Sequence, residues 1–386
     1  MKRFSGVIVS VVLVWASAAP GQTTINRLQT ERLAAGTFSW QVWRAGDDRV
    51  SEFSLPVTFL YPLGPKAGFY AATSPIVSGS LDAVAEYSLS GLSDMKLGGH
   101  WLTGRDRILL TFGLNLPSGK SGLKAEEYAV ASILAMPAFN FRYPTLGQGP
   151  DVQIGISGAT EWNGWIVGGG VCGLRKGLYR PFRDVDESYD PGDEVSVSAG
   201  AEKEVTLLEK EMRLTGDAML SVYGDDTWGG EKVFRPGRRL LLQIRSDFRA
   251  GPYDVRLCVR DRMRGKNKSG SGESYDLERK NRNVNQFEIT GLAGRTVSPS
   301  FAWRAVASVR RFSDNDDGTG GAGLFGIGGG IRAPVARRAV LDLEARWEKG
   351  SLHAGDGNVG ATGLSIGGTV EITLTGPGRR PEESSR

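Results

Sequence analysis

The sequence predicts an all-β protein, a transmembrane antiparallel up-and-down β-barrel of about 14–16 strands. Three observations lead to this fold: an export signal, many segments of about ten residues in which polar and apolar side chains alternate, and connections that switch between short and long. A tilted strand needs about this length to cross a bilayer. Because a soluble β-sandwich also alternates, the order of the connections decides between the two folds.

The N-terminus has the parts of an export signal. Lys2 and Arg3 precede an apolar run from Val7 to Trp15, and Ala16-Ser-Ala18 fits a cleavage site. The apolar run is too short to remain as a membrane anchor. The sequence therefore predicts a signal peptide over 1–18, a short periplasmic segment over 19–35, an outer-membrane barrel over 36–374 and a polar tail over 375–386. The predicted location is the outer membrane of a Gram-negative-type bacterium.

Composition argues against several classes of partner. Among 386 residues, 47 Lys+Arg stand against 43 Asp+Glu, so the charges nearly cancel and no nucleic-acid partner is implied. Two histidines and two cysteines leave little for a structural zinc site, and neither a metal nor a cofactor is predicted. Cys172 and Cys258 fall in strand-like runs, where a disulfide would need adjacent strands. Both the paired and the free state stay open.

The alternation is clearest in the second half of the chain. Over 212–222, Met212 and Leu214 begin an apolar face while Arg213 and Thr215 begin a polar one. The segments 240–249, 253–260 and 339–348 alternate in the same way. From residue 175 onward, long connections at 175–192, 224–238, 263–283, 313–320 and 350–360 alternate with short ones at 204–211, 250–252, 296–299 and 334–338. Tight periplasmic turns and long outward loops are typical of outer-membrane barrels.

The first part of the chain follows the rule of short and long connections less well. Strands are predicted there near 36–45, 51–61, 67–75, 95–103, 107–116, 130–143, 152–162 and 164–174. Aromatic residues near the predicted strand ends suit an interfacial girdle; they are Trp40, Trp43, Tyr61, Trp101, Tyr143, Trp162, Trp165, Phe312 and Trp347.

Two stretches carry a resemblance to known barrels. Gly91-Leu-Ser-Asp94 leads a strand, and the following strand ends in Leu116-Pro-Ser-Gly119. This hairpin resembles the transporter-like barrel family labelled the MetA pathway of phenol degradation, distantly like long-chain fatty acid and aromatic hydrocarbon channels. The resemblance implies a porin-like barrel that passes hydrophobic or aromatic compounds, with Gly91, Leu92, Asp94, Leu116, Pro117 and Gly119 as structural residues. It covers about 30 residues well.

The last predicted strand contains Ser365-Ile-Gly-Gly-Thr-Val-Glu-Ile372. It resembles the C-terminal signal that outer-membrane assembly machinery recognises, although the aromatic residue that usually closes this signal is absent. The implied partners are the assembly machinery, outer-membrane lipid and a small-molecule solute. The oligomeric state stays open.

The stretch Gly113-Leu-Asn-Leu-Pro-Ser-Gly-Lys-Ser121 nearly spells a phosphate-binding loop. Such a loop would need a glycine where Leu114 stands and a helix starting at Lys120. The preceding alternation instead predicts the end of a membrane strand, with Pro117 and Gly119 turning the chain. Lys120 is then expected in water at the mouth of the barrel.

If the apolar faces touch lipid, the polar faces line the lumen. A hairpin turning at 250–253 would set Asp247 against Arg256 and Arg249 against Asp254, which opposite charges favour. The lining can be an arginine-rich constriction that attracts anions, or a set of ion pairs that fills a narrow barrel. The candidate residues are Arg213, Asp217, Arg245, Asp247, Arg249, Asp254, Arg256, Arg260, Arg304, Arg310, Asp342, Glu344 and Arg346.

The sequence therefore predicts a non-enzymatic channel for uptake of small, aromatic or anionic compounds. The alternative is a structural or surface-interaction barrel whose lumen is closed by ion pairs. A remote third reading, an outer-membrane lipid hydrolase, would use His100; His353 falls in a predicted loop and no serine nucleophile motif accompanies either histidine. The acidic clusters at 184–187 and 314–317 have no calcium-loop spacing and are expected to be polar loop chemistry.

Overall fold

The computed structural model describes residues 32–82, 86–207, 210–354 and 357–374. The predicted signal peptide, the start of the predicted periplasmic segment and the polar tail lie outside the described residues. Sixteen antiparallel strands form a barrel, which closes where the first strand pairs with the last. The predicted fold class is confirmed, with a strand number at the upper end of the predicted range.

Thirteen strands are continuous, and β2, β3 and β4 each consist of two segments. The bounds are β1 Leu33–Ala45, β2 Asp48–Ser54 and Val57–Gly64, β3 Ala67–Thr73 and Val77–Asp82, β4 Glu86–Gly91 and Met95–Thr103, β5 Ile108–Leu116, β6 Asp151–Trp162, β7 Trp165–Arg175, β8 Glu194–Leu207, β9 Lys210–Tyr223, β10 Arg239–Ala250, β11 Tyr253–Arg264, β12 Gln286–Ser298, β13 Phe301–Phe312, β14 Ala322–Ala336, β15 Ala339–Ala354 and β16 Gly357–Thr373.

The interruptions in β2 and β3 lie at prolines. Pro56 and Pro75 have no backbone N–H to donate to a neighbouring strand. Nearby hydrogen bonds keep the strands together across the gap: Leu55 N donates to Ile76 O at 3.0 Å, and Thr37 N donates to Pro56 O at 2.8 Å. The barrel therefore stays paired at this level although the regular ladder is broken.

The connections define two ends of the barrel. At the turn end, the strands are joined by short turns at 65–66, 104–107, 163–164, 251–252, 299–300 and 337–338, and β8 and β9 are separated by the two residues 208–209, which lie outside the described residues. At the opposite, loop end, the connections are L1 to L8, at 46–47, 83–85, 117–150, 176–193, 224–238, 265–285, 313–321 and 355–356. L1 and L2 are short, which explains why the rule of short and long connections fails in the first part of the chain. The long loop predicted at 350–360 is wrong, because β15 and β16 extend through most of it.

The strand predicted near 130–143 is also wrong. Residues Ala125–Leu134 form helix α1, and the rest of L3 is irregular. No described helix is long and apolar enough to cross a membrane. L4, L5 and L6 form a small second sheet above the barrel, called here the loop sheet, from the short strands Tyr189–Asp190, Asp226–Trp228, Glu231–Arg235, Lys268–Ser269 and Asp276–Leu277.

Side chains alternate between the two faces of the barrel wall. Outward positions carry large exposed apolar side chains such as Ile154, Trp162 and Ile244, which are 64–68% exposed. Inward positions are mostly polar, glycine or alanine, apart from the apolar residues that face L3. Of the predicted aromatic girdle, Trp43 and Phe312 are wrong because both face inward and are buried, and Tyr143 lies in L3.

Candidate functional site

The lumen holds every residue predicted to line it. The paired ladders place all thirteen candidates on the inward face of β9 to β11, β13 and β15. Arg249 and Asp254 lie nearest the turn end, whereas Arg310 lies near the loop end. Their role in a solute path stays a prediction.

The register predicted for the hairpin of β10 and β11 is confirmed. Asp247 lies opposite Arg256 and Arg249 opposite Asp254, with ion-pair distances of 2.6 Å and 3.1 Å. Asp247 also forms an ion pair with the Arg245 guanidinium at 2.9 Å. These cross-strand pairs fix the register, because a slip would bring like charges together.

The wall from β13 to β16 carries a second set of ion pairs. Arg304 binds Asp342 through two nitrogens at 2.7 and 2.9 Å and reaches Glu344 at 3.0 Å. Closer to the loop end, Glu348 forms ion pairs with both Arg310 at 2.7 Å and Arg346 at 3.0 Å. The Arg310 and Glu348 side chains are 4% and 8% exposed. These ion pairs therefore stabilise the barrel wall, and they also give this part of the lumen its charged lining.

Replacing Glu348 by glutamine is expected to destabilise the barrel by about 3–5 kcal/mol, because it leaves the buried Arg310 without its carboxylate. Chemical unfolding in detergent would measure the change in the free energy of unfolding. Glu344→Gln is the matched control on the same strand. Glu344 is 67% exposed and Arg304 keeps Asp342, so this change should cost less than about 1 kcal/mol. Equal losses in the two variants would contradict a buried role for Glu348.

The part of the lumen with the largest excess of positive charge includes residues that the sequence analysis does not identify. Inward positions of β10 and β11 carry seven arginines and two aspartates. The additional arginines are Arg239, Arg262 and Arg264; the last two continue the alternation of Arg256 and Arg260 beyond the predicted segment 253–260. Arg239 lies directly opposite Arg264, an arrangement that is unfavourable without a counter-ion.

Few carboxylates form ion pairs with these three arginines. Arg239 reaches Glu194 at 3.2 Å, and its Nε is buried without a hydrogen-bond partner among the described residues. Arg262 donates to the neutral Gln286 side chain at 2.9 Å. Among the described residues, no carboxylate lies within ion-pair distance of Arg262 or Arg264. The loop end of β10 and β11 is therefore a positively charged wall with spare hydrogen-bond donors.

Loop L3 folds into the lumen against the other side of the barrel. Val130 and Leu134 of helix α1 are fully buried and pack on Gly79 of β3, where a Cβ atom would lie 2.8 Å from Leu134 and 3.1 Å from Val130. Trp43 of β1 stacks on Phe139 with ring centroids 5.3 Å apart. L3 thus replaces water along the inner wall of β1 to β4 and narrows the lumen near its loop end.

Polar contacts also anchor L3 to the wall. Glu52, which is 1% exposed, accepts the backbone N–H groups of Arg142 and Tyr143 at 3.3 and 2.9 Å. Gln41 donates its side-chain amide to Phe139 O at 2.6 Å. Because these two inward side chains bind backbone groups of L3, the loop has a defined position.

The motif that carried the family resemblance forms the base of L3. Asp94 is buried and accepts Gly119 N at 2.8 Å, the Asn115 amide at 2.9 Å and Gln148 N at 2.7 Å. Asp94 N in turn donates to Leu146 O at 2.9 Å. One carboxylate therefore holds both ends of L3 together and directs the loop into the barrel.

Gly119→Ala is expected to loosen L3, because a Cβ atom there would lie 2.2 Å from Leu146 O and 2.7 Å from Asp94 N. Both are backbone atoms, so the clash cannot be relieved by rotating a side chain. Overpacking of this kind costs about 1–3 kcal/mol, which corresponds to roughly 5- to 150-fold faster tryptic cleavage after Lys124. Gly216→Ala, at an outward position with no atom within 4 Å, should cleave like the wild type. An unchanged rate for Gly119→Ala would contradict the role given to Asp94.

The other residues considered in the sequence analysis are His100, the two cysteines and Lys120. His100 faces inward and is 4% exposed, and its Nε2 has no hydrogen-bond partner among the described residues. Cys172 and Cys258 are both free. Lys120 is partly exposed and pairs with Glu127 of helix α1, so it is an ion-paired residue at the base of L3 and not a freely solvated one. Among the described residues, no cluster of metal-ligating side chains is present.

An aromatic surface leads from L3 to the outer loops. Tyr128 of helix α1 contacts Phe182 of L4, and Phe182 contacts Trp228 of L5, with ring centroids 5.1 and 6.0 Å apart. Tyr189 packs on Trp228 at 6.2 Å. These aromatic contacts tie the loop sheet to L3 above the lumen.

In the same loops, hydrogen bonds from Lys232 and Tyr275 hold the pKa of Asp225 below its usual value.

Sixteen closed strands, an outward apolar band and a charged lumen narrowed by a folded loop define a transmembrane β-barrel. No protein-family model matches the sequence, and no curated protein is significantly similar to it. Among solved structures, OprB of Pseudomonas putida is similar at 8% identity and a TM-score of 0.48, covering 92% of this chain and 96% of that one. OccK11 of Pseudomonas aeruginosa is similar at 11% identity and 0.43, covering 89% and 96%. The CymD monoaromatic hydrocarbon channel is similar at 11% identity and 0.40, covering 90% of each chain.

Proposed function

We propose that the protein is an outer-membrane channel that admits small anionic solutes, including carboxylates with an aromatic ring, by diffusion and without catalysis. The observation that carries this proposal is the excess of arginines on the inward face of β10 and β11, where Arg262 and Arg264 face no carboxylate among the described residues. Guanidinium groups bind carboxylates through paired hydrogen bonds. A ring of such groups in a pore selects for anions.

The size of the barrel supports passage. Barrels of sixteen strands leave an aqueous channel inside, whereas barrels of about eight are filled by their own side chains. L3 covers the wall of β1 to β4 and leaves the arginine-rich wall of β10 and β11 facing the lumen. A solute entering from the loop end would therefore pass between a folded loop and a positive surface.

Two features favour solutes with an aromatic ring. Tyr128, Phe182 and Trp228 form a contiguous aromatic surface at the loop end, and aromatic faces attract other rings as well as apolar groups. The hairpin motif around Asp94 resembles the MetA pathway family, which implies passage of aromatic compounds. The arginines would then recognise the carboxylate and the aromatic residues the ring.

The second candidate function is a structural or surface-interaction barrel with a closed lumen. It is favoured by the pairing of most predicted lumen arginines with carboxylates, for example Arg304 with Asp342 and Arg310 with Glu348. A hydrolase remains a third, remote reading. His100→Ala with unchanged lipid hydrolysis would exclude it.

Planar bilayer recordings of the purified protein test the proposal. We expect discrete conductance steps, a reversal potential in a salt gradient that indicates anion selectivity, and faster liposome uptake of benzoate than of benzylammonium, which has a similar size and the opposite charge. A stably inserted barrel without conductance or solute uptake would establish the closed-lumen alternative. Cation selectivity would contradict the role given to the arginine wall.

A further inference from the structure

The outward face of the barrel carries a row of cations at the loop end. Arg44 of β1 lies opposite Arg49 of β2, and on its other side Thr362 of β16 separates it from Lys349 of β15. Neighbouring strands are about 4.8 Å apart, so Lys349 and Arg44 are attached to the wall about 10 Å from each other. Arg311 of β13 lies one outward position closer to the loop end.

These four side chains form no ion pair with another described residue. All four are exposed, and none of them is within ion-pair distance of a carboxylate in the described part of the chain. The nearest acidic residues of the ladder are Asp48, which precedes Arg49 on β2, and Asp82, which is in register with Arg49 on the side away from Arg44. Arg44 and Arg49 face each other directly, which is unfavourable unless an anion lies between or beside them.

The row lies just above the apolar band. One outward position toward the turn end, the same strands carry Val42, Trp347 and Leu364. Tryptophan at this position is typical of the boundary between the hydrocarbon and the headgroups. The cations are therefore at the depth of the headgroups of the outer leaflet.

A groove crosses the wall at the same place. It has a volume of about 520 Å³, and Val309, Arg311, Phe325 and Lys349 contribute to its lining. At its loop end, Asp314 also lines the groove and is in contact with His353 at 2.7 Å. Inward-pointing lining residues such as Phe312 are buried, so the groove opens outward. A Cβ atom at Gly323 would meet no atom within 4 Å, which leaves room between the basic and the apolar side chains.

We propose that this surface binds the phosphate groups of an anionic lipid in the outer leaflet, one that carries at least two phosphates on its headgroup. Arginine and lysine about 10 Å apart match separate phosphates, and the apolar floor of the groove accommodates the start of an acyl chain. The inference rests on the membrane placement in the proposed function. It does not depend on conduction.

Native mass spectrometry of the full barrel in uncharged detergent tests the inference, with a diphosphorylated glucosamine lipid as the probe. The test variant is the triple change Arg44→Gln, Arg311→Gln and Lys349→Gln. Each cation at an anionic lipid surface contributes about fivefold, so we expect roughly 100-fold weaker binding. Arg175→Gln, which removes an exposed outward arginine from the loop end of β7, is the matched control and should bind like the wild type.

The lipid without its phosphates should bind as weakly to the wild type as the diphosphorylated lipid binds to the triple variant. Equal binding of the diphosphorylated lipid to wild type and triple variant would overturn the inference, as would equal wild-type binding of the lipid without phosphates. Conductance measured in bilayers of uncharged lipid separates this outcome from failure of the channel proposal. The triple variant should conduct like the wild type there, because its substitutions lie outside the lumen.

Discussion

Replacing residues 122–145 by a short Gly-Ser linker is expected to raise the single-channel conductance by roughly twofold or more. This change removes helix α1 and the aromatic residues that follow it, while Asp94 keeps its contacts with Gly119 and Gln148. The segment occupies the lumen beside β1 to β4, and the conductance of a water-filled pore grows with its open cross-section. Single-channel recording in planar bilayers measures the effect.

The matched control shortens L7 across residues 315–319, which form hydrogen bonds with L6 and with other residues of L7. This variant should conduct like the wild type. If removal of the L3 segment left the conductance unchanged while the barrel remained folded, the narrowest part of the path would lie elsewhere. If both variants conducted more, loop length in general would explain the gain.

The largest change in selectivity is expected from Arg260→Gln, Arg262→Gln and Arg264→Gln combined. These positions follow one another on the inward face of β11, and one carboxylate, Glu288, approaches Arg260 at 3.7 Å. Removing three positive charges should lower the ratio of anion to cation permeability by about three- to tenfold. Reversal potentials in a salt gradient give this ratio.

A charge-neutral control comes from the same hairpin. Arg249→Gln with Asp254→Asn removes an exposed ion pair and leaves the net charge of the lumen unchanged. This double variant should keep the wild-type selectivity. A triple variant that remained as anion-selective as the wild type would show that the wall of β10 and β11 does not select the solute.

Much of the barrel is predictable because the wall imposes a strict period of two. Every strand faces lipid on one side and the lumen on the other, so alternation identifies strands and also assigns each charged residue to a face. The pairing of Asp247 with Arg256 followed from the same rule, since opposite charges across a tight turn leave one favourable register. All thirteen candidate residues therefore lie on the inward face of the barrel, as their alternation indicates.

L3 could not be predicted by that rule. Its residues from Val130 to Tyr143 are packed between the loop's own backbone and the barrel wall, so their apolar pattern reflects surroundings on several sides. Phe139 and Phe141 are both buried although they alternate with polar neighbours, which imitates a strand. The wrong assignment of Trp43 to the membrane interface has a related cause. Its partner Phe139 is 96 positions away in the sequence, so the local pattern around Trp43 does not show that the side chain packs against L3.

The packing of L3 against the inner wall also constrains the order in which the barrel is assembled. One contiguous apolar cluster joins Val130 and Phe139 of L3 to Trp43 of β1 and to Phe312 and Leu324 on the far side of the junction between β1 and β16. That cluster is complete only after the first and last strands have met. Until closure, the apolar side of L3 is exposed, and such intermediates aggregate readily. Pulsed hydrogen exchange during refolding should therefore find L3 amides protected no earlier than those of β1 and β16.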